Sequence, residues 1–313
     1  MNVLVTAIGS MSSECVINSL NSLGIGVVGT DIYPQEYHPI SHNCLAFRKV
    51  SRIYADSLKY CSELRDEALK RGCIAIVPLT DPEVDVISTN RDFFLNSGIN
   101  IWLPDETVIK KVRNKELWCN LLYGSKSFKT IPSYNSFGAL SREYTGDFVA
   151  KRITGRSSEG ILFSNTSTFS SEKEYSLGYL FQPKIEGDIF TVDFAVHPKS
   201  GQMVFVPRIE LMRTKNGAGT VVRIASLSFF YDAMVELVKR LKLTGVMNCE
   251  FISNKSGLYL MDINPRFSAG VSFSKKAGYD FVKANIDCYC SDSMDELNTP
   301  CTGSIFIKRF CDF

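Results

Sequence analysis

The sequence predicts an α/β and α+β protein, in which a doubly wound parallel sheet is followed by a part built on an antiparallel sheet. In the first third of the chain, short apolar strand patterns alternate with helical patterns. This alternation is typical of parallel sheets with helices on both faces. Near the C-terminal end, two strand patterns flank the turn-forming run Ser253–Gly257. A short turn of this kind favours an antiparallel hairpin.

Composition limits the kind of protein that the chain can be. Its 313 residues, 45% of them hydrophobic, are enough for two or three domains. A net charge of +2 argues against nucleic-acid binding through bulk electrostatics, and no apolar run is long enough to span a membrane. The start Met1–Thr6 lacks the basic region of a signal peptide. We therefore expect a cytoplasmic protein with no nucleic-acid or membrane partner, whose ten cysteines are reduced.

The first third contains four strand patterns and the helical patterns that follow them. The predicted strands are Val3–Ile8, Gly26–Asp31, Cys73–Pro78 and Ile99–Trp102. The predicted helices run to Leu23, over Ala55–Arg71 and over Glu83–Asn96. In a parallel sheet, the loops after the strands meet at one edge. We expect Gly9–Ser13, Asp31 and Thr80–Glu83 to line one crevice.

The same segments allow a rival interpretation. Gly9 after the first strand and Asp31 at the end of the second imitate a nicotinamide-dinucleotide site. The full glycine fingerprint is absent, because Ser12 and Ser13 stand where glycine is needed for close approach to a pyrophosphate. The serine-rich turn is also able to hold a carboxylate or phosphate at a helix N-terminus, or to be an ordinary helix cap. These alternatives stay open.

The middle of the chain places two lysines near a glycine-bounded loop. A predicted helix over Val108–Leu122 carries Lys115, and a predicted strand over Thr145–Arg152 carries Lys151. The loop Gly155–Gly160 follows directly. Its backbone donors are suited to covering phosphates, with Lys151 as a point charge at its base. On its own the loop is unspecific, and a plain β-turn is the more frequent explanation of such a stretch.

The C-terminal hairpin carries candidate metal ligands. Glu250 lies on the first strand, and Asp262 and Asn264 lie on the second. Side chains alternate between the faces of a strand, so Asp262, Asn264 and Arg266 are expected on one face, with Glu250 beside Asp262. Oxygen ligands of this kind suit Mg²⁺. An ordinary solvated strand edge is the alternative, but Asp and Asn are disfavoured among the apolar neighbours found here.

Taken in order, these motifs resemble the ATP-grasp superfamily. The resemblance rests on the two lysines, the glycine and serine loop, the segment Gln182–Asp188 and the segment Asp262–Arg266. The chain looks closest to single-module proteins similar to half of a carbamoyl-phosphate synthase large subunit. The resemblance implies a pre-ATP-grasp domain over 1–104 and an ATP-grasp domain over 105–313. The latter would comprise a lid subdomain, about 126–184, and a C-terminal antiparallel-sheet subdomain.

The resemblance assigns the nucleotide contacts. Lys115 and Lys151 match the lysines that hold the α- and β-phosphates of ATP, and Ser157 and Ser158 lie in the matching lid loop. Gln182 matches the residue that accepts the adenine amino group, although glutamate is common there. The remaining two nucleotide contacts are the Ile185 backbone at the adenine ring nitrogen and Asp188 at the ribose hydroxyls.

The resemblance also implies the metal ligands and the chemistry. Glu250, Asp262 and Asn264 match the ligands of two Mg²⁺ ions, with Mn²⁺ as a substitute, and Arg266 matches the cation at the transferring phosphoryl group. Arg208 is a candidate second cation.

The implied enzyme is an ATP-dependent ligase that activates a small carboxylate and joins it to an amine. We expect the second substrate to contact Ser12, Ser13, Asp81, Arg208 and Arg213. A nucleotide-binding protein with a degenerate catalytic centre and an NAD-dependent oxidoreductase are the alternatives. A homodimer is left open.

Overall fold

The computed structural model describes residues 1–155, 160–170, 175, 177–296 and 301–309. These residues form three sheets, one parallel, one antiparallel and one mixed. The fold class predicted from the sequence is confirmed. Among the residues described, no helix has the length and apolar character needed to cross a membrane.

The first part of the chain is a five-stranded parallel sheet with helices. Its strands are β1 (Asn2–Val5), β2 (Gly26–Asp31), β3 (Ala46–Lys49), β4 (Cys73–Val77) and β5 (Asn100–Ile101). Its helices are α1 (Ser13–Ser22), α2 (Ser57–Lys70), α3 (Asp81–Thr89) and α4 (Arg91–Leu95). The strand order is β3-β2-β1-β4-β5, so the direction of winding reverses between β1 and β4. Ligands of doubly wound folds bind at such a reversal.

Two details of this sheet differ from the sequence prediction. The strand β3 was not predicted, because its four residues pair only with β2 at the sheet edge and are partly exposed. The helix expected over Glu83–Asn96 is two helices, α3 and α4, separated at Asn90. The side-chain amide of Asn90 donates to the Val86 carbonyl at 2.9 Å, which satisfies an acceptor at the end of α3.

The middle of the chain forms a small antiparallel sheet and its flanking helices. The elements are α5 (Glu106–Arg113), α6 (Lys115–Leu121), β6 (Lys129–Thr130), α7 (Phe137–Glu143), β7 (Asp147–Arg152), β8 (Leu162–Asn165) and β9 (Tyr179–Pro183). The sheet order is β8-β7-β9. The single helix expected over Val108–Leu122 is broken at Asn114, whose side chain accepts from the Leu117 backbone at 2.9 Å and caps α6.

The last part is a seven-stranded sheet. Its elements are β10 (Asp188–Val196), β11 (Met203–Arg213), β12 (Gly219–Ile224), α8 (Tyr231–Leu241), β13 (Gly245–Asn254), β14 (Gly257–Asn264), α9 (Val271–Lys276), α10 (Phe281–Cys290) and β15 (Ile305–Ile307). The order is β15-β12-β11-β10-β13-β14-β6. The expected antiparallel sheet is therefore mixed, because the two-residue strand β6 pairs parallel to β14.

One hydrophobic core joins the parallel sheet to the seven-stranded sheet. Val5 and Ile8 of the first part share a buried cluster with Val206 of β11 and Phe281 of α10. The small antiparallel sheet has a separate cluster around Phe148 and four other buried residues. Burial of apolar surface therefore fixes the two large sheets against each other and leaves the small sheet with its own core.

Candidate functional site

All three sheets contribute to a cavity of about 570 Å³. Ser10 comes from the loop after β1 and Asp81 from the start of α3, Lys151 and Gln182 come from the small sheet, and Asp262 comes from β14. The predicted site residues that line the cavity are Ser12, Asp81, Lys115, Lys151, Gln182, Ile185, Arg208, Arg213, Glu250, Asp262, Asn264 and Arg266. The loops after β1 and β4 meet here as predicted, at the reversal of winding. Asp31 does not; it lines a neighbouring cavity.

Two predicted residues lie outside the described part of the chain, and one lies outside the cavity. Ser157 and Ser158 are not described, so their role under the phosphates stays a prediction. Asp188, the predicted ribose ligand, is exposed at the start of β10. It is not among the described residues that line the cavity. Its predicted role likewise stays a prediction.

The hairpin of β13 and β14 brings the predicted metal ligands together. Glu250 lies directly opposite Asp262, and Asn248 lies opposite Asn264. The register shifts next to this pair, because Phe251 pairs with Leu260 and leaves Met261 as an extra residue on β14. Bulges of this kind redirect side chains and backbone groups. The predicted side-by-side placement of Glu250 and Asp262 is confirmed.

Each of the two carboxylates contacts a cation of the chain. The Lys115 Nζ atom lies 3.1 Å from Asp262 Oδ1, and the Arg213 Nη2 atom donates to Glu250 Oε1 at 2.8 Å. Burial raises the pKa of Glu250, and the Arg213 guanidinium opposes that rise. The neighbouring Asp262 charge raises it further. A cation between the carboxylates would remove this like-charge repulsion.

The donor set fits Mg²⁺ with part of its shell supplied from elsewhere. Within the described residues, no group of three or more His, Cys, Asp or Glu side chains is placed to hold a metal ion by itself. Two carboxylates and the Asn264 amide are hard oxygen donors, the kind that bind Mg²⁺ together with water and phosphate oxygens. The site is therefore suited to a metal that arrives with a phosphate-bearing ligand.

Lys151 is a buried ammonium at the base of the cavity. Its Nζ atom donates to the carbonyl of the bulge residue Met261 at 3.1 Å. Desolvation and, next, the nearby charge of Lys115 together lower its pKa to about 8, although the Asp262 charge opposes them. Lys115 Nζ also lies 3.5 Å from the Gly155 carbonyl. Two lysines held this close favour a strongly anionic ligand between them.

A fixed amide faces the cavity at β9. Gln182 Nε2 donates to Ser133 Oγ at 2.7 Å, while the Ser133 hydroxyl donates to the Ile131 carbonyl at 2.8 Å. Since the hydroxyl proton is used at Ile131, Ser133 acts as the acceptor toward Gln182. The Gln182 side-chain oxygen is therefore left as a hydrogen-bond acceptor, which is the group that an adenine amine requires.

Arg266 connects the hairpin to the parallel sheet. Its Nε and Nη2 atoms each donate to Asp81 at 2.8 Å, in a bidentate pair at the start of α3. Burial would raise the Asp81 pKa, but the charge and hydrogen bonds of Arg266, together with the charges of Arg113 and Lys115, hold the pKa below its usual value. Arg113 adds a second cation, 3.7 Å from Asp81. Arg266 therefore enters the cavity with its charge already balanced by a carboxylate.

Arg208 is a buried cation that is paired with carboxylates of the chain. Its guanidinium donates to Asp193 at 2.6 Å, to Glu210 at 3.1 Å and to Ser268 at 3.1 Å. Burial opposes its charge, but Asp193 and Glu210 raise its pKa overall. Arg208 was predicted as a second cation for the ligand, but its charge is already balanced by two carboxylates of the chain.

Sequence reasoning missed Lys308. Its Nζ atom donates to the carbonyls of Met11 and Ala269, at 2.9 Å each. Both of these residues line the cavity. An ammonium has three donors, and these two bonds leave one. The contact joins residues 297 positions apart, so no local pattern could have indicated it.

Asn248 was missed as well, although a signal was present. It lies two residues before Glu250, where alternation places it on the same face of β13. Its side chain donates to the Arg266 carbonyl at 2.9 Å and its oxygen accepts from Asn264 at 3.2 Å. Asn248 therefore holds Asn264 and the chain after it in place.

The dinucleotide interpretation is not favoured by the geometry at Asp31. One Asp31 oxygen accepts from the Gly9 backbone at 2.9 Å and the other accepts from the Tyr33 backbone at 3.0 Å. A ribose would have to displace these bonds. Ser13 is also occupied, because its hydroxyl donates to the Ser10 carbonyl at 2.7 Å.

The cavity brings together, from all three sheets, charged and polar groups that suit a phosphate-bearing ligand, and comparison with known families gives the class of the fold. Residues 119–270 match the family model of the ATP-grasp domain. The chain therefore contains an ATP-grasp domain over these residues. The narrower likeness to half of a carbamoyl-phosphate synthase large subunit stays a prediction. No match was found among curated protein sequences.

Solved structures share the fold over nearly the whole chain. The biotin carboxylase domain of Hydrogenobacter thermophilus 2-oxoglutarate carboxylase, a dimer in complex with MgADP, ADP and bicarbonate, is 17% identical with a TM-score of 0.77. The alignment covers 97% of this chain and 73% of that one. Staphylococcus aureus N5-carboxyaminoimidazole synthetase, complexed with ADP, is 15% identical with a TM-score of 0.71, over 98% and 79% of the two chains. At these identities the likeness establishes the fold.

Proposed function

We propose that the protein is an ATP-dependent ligase that activates a carboxylate as an acyl phosphate and joins it to an amine. The observation that carries the proposal is the arrangement in one cavity of a carboxylate pair, two lysines and a fixed amide acceptor. Glu250 lies opposite Asp262, Lys115 contacts Asp262, and Gln182 lines the same cavity with its side-chain oxygen left as an acceptor. The similar structures from Hydrogenobacter thermophilus and Staphylococcus aureus hold MgADP or ADP, which supports a nucleotide here.

The proposed nucleotide lies with its phosphates toward Lys115 and Lys151 and its adenine toward Gln182. Ile185 also lines the cavity, three residues after Gln182, and its backbone would contact the adenine ring. Glu250, Asp262 and Asn264 would hold two Mg²⁺ ions together with phosphate oxygens. Bound Mg²⁺ neutralises negative charge on the phosphates. With Mg²⁺ beside Glu250 and Asp262, Lys115 and Arg213 would be free to contact phosphate oxygens instead of these carboxylates.

The reaction proceeds in two balanced steps. A substrate carboxylate oxygen attacks the γ-phosphorus of ATP, the bond to the β–γ bridging oxygen breaks, and ADP leaves. The amine then attacks the acyl carbon of the acyl phosphate, the bond to the phosphate oxygen breaks, and phosphate and a proton leave. Phosphoryl transfer depends on positioning and charge stabilisation, which suits a site of lysines and arginines. Arg266, which lines the cavity, would hold the carboxylate.

Release of ADP by the purified chain tests this proposal. A panel of small carboxylates and amines is supplied with ATP, with and without Mg²⁺, and ADP is measured. We expect ADP release that requires Mg²⁺ and a particular carboxylate. Nucleotide binding without ADP release for any pair would favour the alternative of a degenerate catalytic centre. The small-molecule substrates and the cytoplasmic location belong to the proposal as predictions.

A further inference from the structure

A second cavity, of about 1100 Å³, lies beside the first at the carboxyl edge of the parallel sheet. It is formed by the loops after β1, β2 and β3 and by the start of α3. Ser10, Met11 and Thr80 line both cavities. A molecule in the second cavity can therefore extend one end toward the proposed site of phosphoryl transfer.

The walls of the second cavity carry exposed tyrosines. Tyr33, Tyr37 and Tyr54 all line it, and they are 46%, 66% and 68% exposed. The ring centroids of Tyr33 and Tyr37 are 6.4 Å apart with an interplanar angle of 32°. Ile32, Ile40 and Ile53 add apolar surface. Aromatic faces exposed beside apolar side chains favour a ligand with a flat ring.

Arg52 gives this cavity an available positive charge. Its guanidinium carbon lies 5.8 Å from the centre of the Tyr33 ring, and in the described part of the chain no carboxylate pairs with it. The buried acids of the cavity are already engaged. Asp31 accepts from the Gly9 and Tyr33 backbones, and Glu83 accepts from Tyr60 and Thr80. The exposed Glu14, in the first turn of α1, is the remaining acid. Arg52 favours an anionic group, which it can bind in a bidentate manner.

The floor contains a buried polar atom without a hydrogen bond. His38 is 6% exposed, and its Nε2 atom forms no hydrogen bond, although Asp31 Oδ1 lies 3.3 Å away. Its ring packs over Gly9, where a side-chain carbon would come within 2.7 Å of His38 Cε1. His38 thus adds a buried polar group, within ion-pair distance of Asp31, to the floor of the second cavity.

We propose that the second cavity binds the amine substrate, and that this substrate carries a flat ring and an anionic group. The inference rests on the proposed ligase function. The ring lies among Tyr33, Tyr37 and Tyr54, the anion contacts Arg52, and the amine extends past Ser10 and Thr80 to the acyl phosphate. Aromatic surface and a guanidinium together discriminate against amines that lack either the ring or the anion.

Calorimetric titration of the full chain with three matched probes tests this inference without requiring turnover. The probes are 4-(2-aminoethyl)benzoate, tyramine O-phosphate, and tyramine, which lacks the anion. We expect saturable binding of at least one anionic probe. Tyramine should bind at least about tenfold more weakly, because it lacks one charge-assisted hydrogen bond. The first two probes distinguish a carboxylate from a phosphate as the anion.

Single substitutions test whether the probes bind in the second cavity. Arg52→Gln should weaken the binding of the anionic probe about tenfold and leave the binding of tyramine unchanged. Arg65→Gln is the matched control, because Arg65 also lies over an aromatic ring, 4.6 Å from the centre of Phe93, outside the cavity. No binding of either anionic probe at millimolar concentration, equal binding of tyramine, or equal losses in the two variants would overturn the inference.

The same preparations separate this inference from the proposed function. Arg52→Gln should bind Mg·ATP as the unsubstituted protein does, because Arg52 does not line the nucleotide cavity. If the protein bound the anionic probes through Arg52 and yet bound no Mg·ATP, that result would refute the ligase function and the amine substrate. It would still support a site for a ring and an anion in the second cavity. Mg·ATP binding without probe binding would refute the second-cavity inference alone.

Discussion

The proposed metal ligands and phosphate ligands neutralise one another within the chain. Asp262 contacts Lys115, and Glu250 contacts Arg213. A ligand that carries both phosphate and Mg²⁺ can satisfy all four groups at once, the lysine and arginine through phosphate and the carboxylates through the metal. Charge balance in the cavity is thus maintained before and after binding, which avoids leaving a buried charge unpaired.

Asp262→Asn should abolish ADP formation and leave the fold intact. The substitution keeps the shape of the side chain and removes the charge that Mg²⁺ requires. ADP release and the circular dichroism spectrum are measured for this variant and for Asp92→Asn, an exposed carboxylate in α4. Retained ADP release in a folded Asp262→Asn protein would remove this residue from the metal site.

Binding of Mg·ATP should take up protons near pH 8. Free Lys151 has a pKa of about 8, so it is partly neutral at this pH, and phosphate raises the pKa by favouring the ammonium. Affinity should accordingly fall as the pH rises above 8. Proton uptake is measured by calorimetry in two buffers of different ionisation enthalpy. The Lys151→Arg variant should bind Mg·ATP without proton uptake at this position, since arginine stays charged. Equal uptake in both proteins would contradict this assignment.

The hairpin of β13 and β14 shows which features of a site a strand pattern predicts and which it does not. Alternation of side chains has a period of two, so the shared face of Glu250, Asp262 and Asn264 followed from spacing alone. The bulge at Met261 did not follow, because nothing in the local pattern marks an extra residue. The break between α5 and α6 was missed for a related reason. Apolar residues continue across Asn114, and only its capping bond ends the first helix.

Ser133→Ala should weaken the preference for ATP over GTP. The Ser133 oxygen holds Gln182 Nε2 and thereby keeps the amide oxygen toward the cavity. Loss of one such hydrogen bond, about 1 kcal/mol, corresponds to roughly a fivefold loss of discrimination. Dissociation constants for both nucleotides are measured with Ser141→Ala as the control, an exposed serine of α7. An unchanged ratio would show that Gln182 does not read the adenine amine.

The two large sheets act as one body because a core and several long-range polar contacts cross between them. The Asp81 and Arg266 pair and the Lys308 contact to Met11 span most of the chain. Sequence patterns predicted the strands and helices on each side, since those depend on local periodicity. They did not predict which charges pair across the cavity, because the pairing depends on the packing of distant segments.

Asp81→Asn should destabilise the protein by about 3–5 kcal/mol, the usual cost of leaving the partner of a buried pair uncompensated. The measurement is the free energy of unfolding in urea. Asp85→Asn is the matched control, because Asp85 pairs with Arg113 but its side chain is 41% exposed. We expect it to cost about 1 kcal/mol or less. Equal losses in the two variants would show that the contact between the sheets does not depend on this pair.

The central claim is that the cavity binds Mg·ATP, and calorimetric titration with a non-hydrolysable Mg·ATP analogue and with NAD tests it most directly. We expect saturable binding of the analogue that depends on Mg²⁺, is lost in Asp262→Asn, and has no counterpart with NAD. The engaged oxygens of Asp31 and the free amide oxygen of Gln182 both predict this difference. Tight NAD binding with no heat from the Mg·ATP analogue would contradict the account.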